Sequence, residues 1–217
     1  MKIIECPRDA MQGFSNFIPT DKKIDYINEL LKVGFDTIDV GSFVSKEKIP
    51  QLADTSKVIK SIKMNKTTTK LLVIVGNERG ANEAVNFDEI SYLGFPFSIS
   101  ETFQKRNINS SVKDSLKRLE NIQNLCVKSN KKLVTYLSMA FGNPYDDEWS
   151  IYIVAHWAEK LLNEFGINIL SLSDTIGTSN PKVINWLFTK LINEFSDVEF
   201  GAHLHSSASN FNEKIQA

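Results

Sequence analysis

The feature that most constrains this chain is Leu71-Leu72-Val73-Ile74-Val75, five apolar residues in unbroken succession. A strand with one wet face alternates apolar and polar residues. A continuous run marks a strand covered on both faces, as in a parallel sheet flanked by helices. The rest of the chain repeats that theme. Residues 2–6, 37–41, 89–94, 133–140, 167–173 and 198–205 read as further strands. Between them, apolar residues recur at helical spacing: Ile24, Ile27, Leu30 and Leu31; Val58, Ile59 and Ile62; Val112, Leu116, Leu119, Ile122 and Cys126; Ile151, Val154, Ala158, Leu161 and Phe165; Val183, Ile184, Leu187, Leu191 and Phe195. Residues 77–87 predict one more, shorter helix. Thr20 or Asp21 is placed to cap the first of these helices, Ser111 with Asp114 fits a capping box, and Pro181 suits a first helical turn.

Strand followed by helix, with short turns and no linker, predicts parallel βαβ units. Neither Gly-x-Gly-x-x-Gly nor a P-loop occurs, which disfavours a dinucleotide fold. Seven strands at this spacing predict an α/β fold of the (β/α)8 TIM-barrel type, with seven strands present and the C-terminal part missing. Residues 1–217 are then a single, C-terminally incomplete (β/α) barrel catalytic domain. The one long connection expected is 94–110.

Composition agrees. The 217 residues are 42% apolar and 24% charged, enough for one large soluble core. A formal net charge of −1 gives no electrostatic case for nucleic acid or an anionic membrane. No apolar run is long enough to span a bilayer, and no signal or transit peptide is visible at the N-terminus. Cys6 and Cys126 are the only cysteines, so no disulfide framework is implied and a reducing, cytoplasmic location is expected.

In a barrel of this kind the C-terminal strand ends share one mouth. Pro7 ends the first strand, which leaves Arg8 and Asp9 just past its C-terminal end. Asp39 is an acid inside a strand, costly unless used or paired. Asp174 ends the sixth strand. His203 and His205 stand two apart on the seventh and so share a face. Two neutral imidazoles with a carboxylate can bind one divalent cation. The first and seventh strands are separated only by the eighth, so Asp9 is expected to join the two histidines. His156 reads as a packing or surface residue, and Cys126 as core.

Pro7-Arg8-Asp9-Ala10-Met11-Gln12 resembles the Arg-Asp signature of the hydroxymethylglutaryl-CoA lyase family, metal-dependent barrel enzymes related to Claisen-type condensing enzymes. Ser42-Phe43-Val44-Ser45, Pro50-Gln51-Leu52-Ala53-Asp54, Ser100-Glu101-Thr102-Phe103, Asn107-Ile108-Asn109, Gly142-Asn143-Pro144-Tyr145, Ser173-Asp174-Thr175-Ile176-Gly177 and the His-x-His strand resemble its later loops. The resemblance implies retro-Claisen cleavage of 3-hydroxy-3-methylglutaryl-CoA to acetyl-CoA and acetoacetate, within leucine degradation and ketone-body formation. It implies Mg²⁺ or Mn²⁺ on Asp9, His203 and His205. It also implies catalytic work by Arg8, Asp39 and Asp174, and substrate binding by Arg8 and Gln12. The partner implied is an acyl-CoA substrate, with no nucleic acid or membrane and with room for a homodimer. Two readings stay open for Asp39, orienting a hydroxyl or water, or pairing structurally with Arg8. Asp174 is read as a cap of the following helix or as a catalytic group.

Three departures stand out. Ser206-Ser207 replaces the family's Asp-Thr, Asp39 replaces a Glu, and the chain ends before the eighth strand. The family's Asn ligand and catalytic Cys are then expected beyond Ala217, since neither Cys6 nor Cys126 suits that role. The rival readings are a 2-oxo acid condensing enzyme or aldolase on the same metal site, and a non-catalytic metal- or acyl-CoA-binding homologue.

Overall fold

Leu71, Leu72 and Val73 lie almost wholly out of water in β3 (Lys70–Ile74), as their unbroken apolar run predicts. In this computed structural model, which describes residues 1–217, seven strands form one sheet in chain order. The others are β1 (Ile4–Glu5), β2 (Thr37–Ser42), β4 (Ile90–Ser98), β5 (Lys132–Ser138), β6 (Ile169–Asp174) and β7 (Glu199–Leu204). Pairing is parallel from β1 through β4 and from β5 through β7. The helices are α1 (Pro7–Gln12), α2 (Thr20–Leu30), α3 (Thr55–Ser61), α4 (Glu78–Ala84), α5 (Glu101–Ile108), α6 (Val112–Lys128), α7 (Ile151–Phe165), α8 (Pro181–Glu194) and α9 (Phe211–Gln216). This is the expected α/β order of a (β/α)8 barrel through its seventh strand. No helix is long and apolar enough to cross a membrane.

The chain divides into two compact units, residues 1–94 with 124–132, and residues 95–123 with 133–217. In the first, Ile27, Ile38, Ile59, Leu71, Leu72 and Ile90 are buried, and the Phe43 and Phe87 rings meet at 5.5 Å. In the second, Phe95, Phe97, Leu119, Ile122, Leu137 and Leu187 are buried, with Phe97 packed 5.2 Å from Trp157.

Arg8 and Asp9 stand just past β1, as expected, and within α1, because Pro7 both ends the strand and takes the first helical position. Three local expectations are corrected. Neither Thr20 nor Asp21 caps α2. Pro19 precedes the helix, and the Thr20 hydroxyl donates instead to Asp54 at 2.8 Å. The long connection 94–110 is mostly ordered. β4 runs on to Ser98 because Phe95 and Phe97 are buried, and Ser100 caps α5 by accepting from the Phe103 N–H. Asp174 does not cap α8, since Asn180 accepts from the Val183 N–H there.

One close approach holds α4 against the loop after β2. A Cβ at Gly80 would run into the Phe43 carbonyl oxygen, a backbone atom that cannot rotate aside. Gly80→Ala should therefore destabilise the protein by about 1–3 kcal/mol, although alanine is the better helix former. A shifted urea midpoint at unchanged slope is the expected result. An unchanged midpoint would mean that α4 has room to move.

Candidate functional site

In the first unit, the register of β2 against β3 slips between Asp39 and Gly41, a bulge of the kind that re-aims side chains beside functional sites. Asp39 is fully buried. Arg8 reaches it from α1, with Nε and Nη2 both donating to Asp39 Oδ2 at 3.0 and 2.7 Å. The other arm of the guanidinium, Nη1, donates to Asp9 Oδ1 at 2.6 Å and to Gln12 Oε1 at 3.4 Å. One turn of helix thus lets Arg8 grip both acids. Asp39 Oδ1 is buried and has no hydrogen-bond partner, which costs stability and marks an acceptor left over after folding. Burial pushes the Asp39 carboxyl up to about 6, against the pull of the Arg8 guanidinium, and the nearby Asp9 adds to the rise.

Burial also pushes both thiols, Cys6 and Cys126, up to about 12. At neutral pH each is a thiol, not a thiolate, and so a poor nucleophile and a poor metal ligand.

In the second unit, the His203 and His205 rings lie 5.3 Å apart at the end of β7. The Tyr136 and His203 rings stand nearly perpendicular, their centroids 5.8 Å apart. His205 Nδ1 sits 3.0 Å from the Thr175 carbonyl oxygen. A carbonyl only accepts, so in the neutral ring Nδ1 carries the proton and Nε2 the lone pair. That tautomer suits a ligand that binds through Nε2.

Asp174 is also buried, and its oxygens are occupied by the Ser179 N–H at 3.1 Å, the Ser179 hydroxyl at 2.5 Å and the Lys214 ammonium at 2.7 Å. Burial pushes its carboxyl up, but these donors more than offset that and hold it below the usual carboxylate range. The sequence reading missed Lys214 and Ser179. Lys214 stands in Asn212-Glu213-Lys214-Ile215-Gln216, a stretch with no signal beyond an ordinary helix.

Residues 2–210 match the family described as HMGL-like. The chain is 36% identical over 201 residues to the hydroxymethylglutaryl-CoA lyase YngG of Bacillus subtilis, covering 93% of this chain and 66% of that protein. It therefore spans about two thirds of that relative's length. A crystal structure of the Bacillus subtilis HMG-CoA lyase superposes with a TM-score of 0.89 at 34% identity, over 99% of this chain and 73% of the other. An HMG-CoA lyase from Acinetobacter baumannii, solved with coenzyme A and 3-methylmalate, gives a TM-score of 0.90 at 28% identity, over 99% and 70%. With a match across 2–210, and with Arg8-Asp9 after the first strand and His203-x-His205 closing the seventh, the chain belongs to the HMGL-like family.

Proposed function

We propose that the protein is a carbon–carbon lyase. It cleaves 3-hydroxy-3-methylglutaryl-CoA to acetyl-CoA and acetoacetate with a divalent cation, Mg²⁺ or Mn²⁺, and residues 1–217 belong to one catalytic (β/α) barrel domain that they do not complete. The observation that carries this reading is the retention of Arg8-Asp9 and His203-x-His205 in a chain 36% identical to a hydroxymethylglutaryl-CoA lyase. Asp9, His203 and His205 each offer one ligand atom and are the residues proposed to hold the cation. A carboxylate oxygen with two imidazole nitrogens is a fitting donor set for either ion, and the His205 tautomer agrees with it. When bound, the cation supplies Lewis acidity that makes a tertiary hydroxyl easier to deprotonate.

Residues of this chain supply part of the remaining chemistry. Asp39 is the carboxylate assigned to orient the reacting hydroxyl, or a water beside it, and to take up its proton. As the carbon–carbon bond breaks, the hydroxyl carbon becomes the ketone of acetoacetate and the bonding electrons move onto the thioester as an enolate. The permanently charged Arg8 stabilises that oxygen. Protonation of the enolate carbon, which balances the proton taken from the hydroxyl, gives acetyl-CoA. Gln12, exposed on α1 beside Arg8, binds substrate. Asp174 is the third residue assigned a catalytic part, and its Oδ2 accepts from Ser179 and Lys214. The coenzyme A bound to the Acinetobacter relative supports an acyl-CoA substrate. A cytoplasmic location, a homodimer and a place in leucine degradation and ketone-body formation belong to the same reading.

The test is acetoacetate release from 3-hydroxy-3-methylglutaryl-CoA by the natural gene product, with and without a chelator. Cation-dependent release is expected. Condensation of a 2-oxo acid in its place would favour the rival enzyme class. Calorimetry on His205→Ala should show cation affinity weakened by more than about tenfold. Equal affinity would remove His205 from the ligand set.

A further inference from the structure

Lys214 lies on α9, outside every motif on which the family resemblance rests. Its side chain is only 3% exposed, and that of its partner Asp174 is 0% exposed. The ammonium donates to Asp174 Oδ2 at 2.7 Å, to the His205 carbonyl oxygen at 2.6 Å and to the Gly177 carbonyl oxygen at 3.3 Å. An ammonium has three donors, and here all three are used. The acceptors come from three places: the end of β6, the turn after it and the residue just past β7. That same turn presents the Thr175 carbonyl to Nδ1 of His205. His205 is therefore held twice against one turn, by its backbone through Lys214 and by its ring through Thr175.

Stability alone gives no reason for this arrangement. Taking an ammonium and a carboxylate out of water is costly, and apolar residues of like volume often hold a fold as well or better. A three-pronged ammonium does what an apolar pair cannot, which is to fix the distance between two backbone segments. We propose that Lys214 is a positioning residue for His205, setting the orientation and tautomer of its imidazole. The inference rests on the reading above in that this imidazole is a cation ligand.

The test uses the full chain, with Lys214→Met and with Lys214→Met combined with Asp174→Asn. Three quantities are read: thermal midpoint, Mn²⁺ affinity, and the ¹⁵N spectrum of the His205 ring. The single variant should lose stability, because it strands a buried carboxylate. The double variant removes that charge and should regain most of its midpoint. It should nevertheless bind Mn²⁺ about 10–100-fold more weakly than the wild type, the usual cost of losing a group that orients a ligand. Its His205 ring should also lose the clean Nδ1–H signature. Recovery of affinity and ring signature together with the midpoint would overturn the proposal and leave Lys214 a purely structural residue. If the wild type binds no Mn²⁺, the cation reading fails by itself. The ring spectrum then decides for Lys214, and an unchanged tautomer in the double variant would overturn it.

Discussion

Arg8→Met should cost about 3–5 kcal/mol of stability at pH 8 and much less at pH 5, because it leaves Asp39 as an unpaired buried charge. The sign follows from Asp39. Its carboxyl titrates near 6 in the fold against an ordinary 3.8, so the folded protein binds more protons between those values. The stability that Asp39 contributes is thus fully present below pH 4 and is lost as pH rises through 6. Without the guanidinium the folded value climbs further, so the loss continues to higher pH and the gap between variant and wild type widens. Below pH 5 the carboxyl is neutral in both folds and needs no counter-charge. Urea unfolding of metal-free protein at the two pH values measures this directly. A gap of equal size at both would assign the cost to packing.

The second large effect is catalytic. In the natural gene product, Arg8→Lys should lower kcat by about 10²–10³-fold while KM barely moves, as for loss of a group that acts on charge developing in the transition state. Lysine keeps the charge. It cannot reproduce the fork by which Nε and Nη2 grip Asp39 while Nη1 holds Asp9. Steady-state kinetics decide the matter, and a loss confined to KM would reduce Arg8 to a substrate anchor.

The parallel strand–helix order was legible because covered strands carry unbroken apolar runs, as in β3, and because helix faces repeat at 3.6 residues. The sequence pattern ends β4 short, at Gly94, because the burial of Phe95 and Phe97 emerges only in the fold. Asp39 was visible as an acid within an apolar strand, and the two histidines as a pair on one face. Lys214 was not visible. Its significance is created by Asp174, Gly177 and His205, which lie up to 40 positions away in the chain and meet it only after folding.

The grip of one guanidinium on two carboxylates also fixes an order of events. In this corner of the molecule Arg8 sets one positive charge against the two carboxylates of Asp9 and Asp39. A substrate carrying a carboxylate and the phosphates of coenzyme A is repelled by such a corner, weakly across water and strongly once water is excluded. On the proposed reading, a divalent cation held by Asp9 would offset that carboxylate charge before an anionic thioester arrives. Cation first and thioester second is the sequence of arrival that this electrostatic polarity favours.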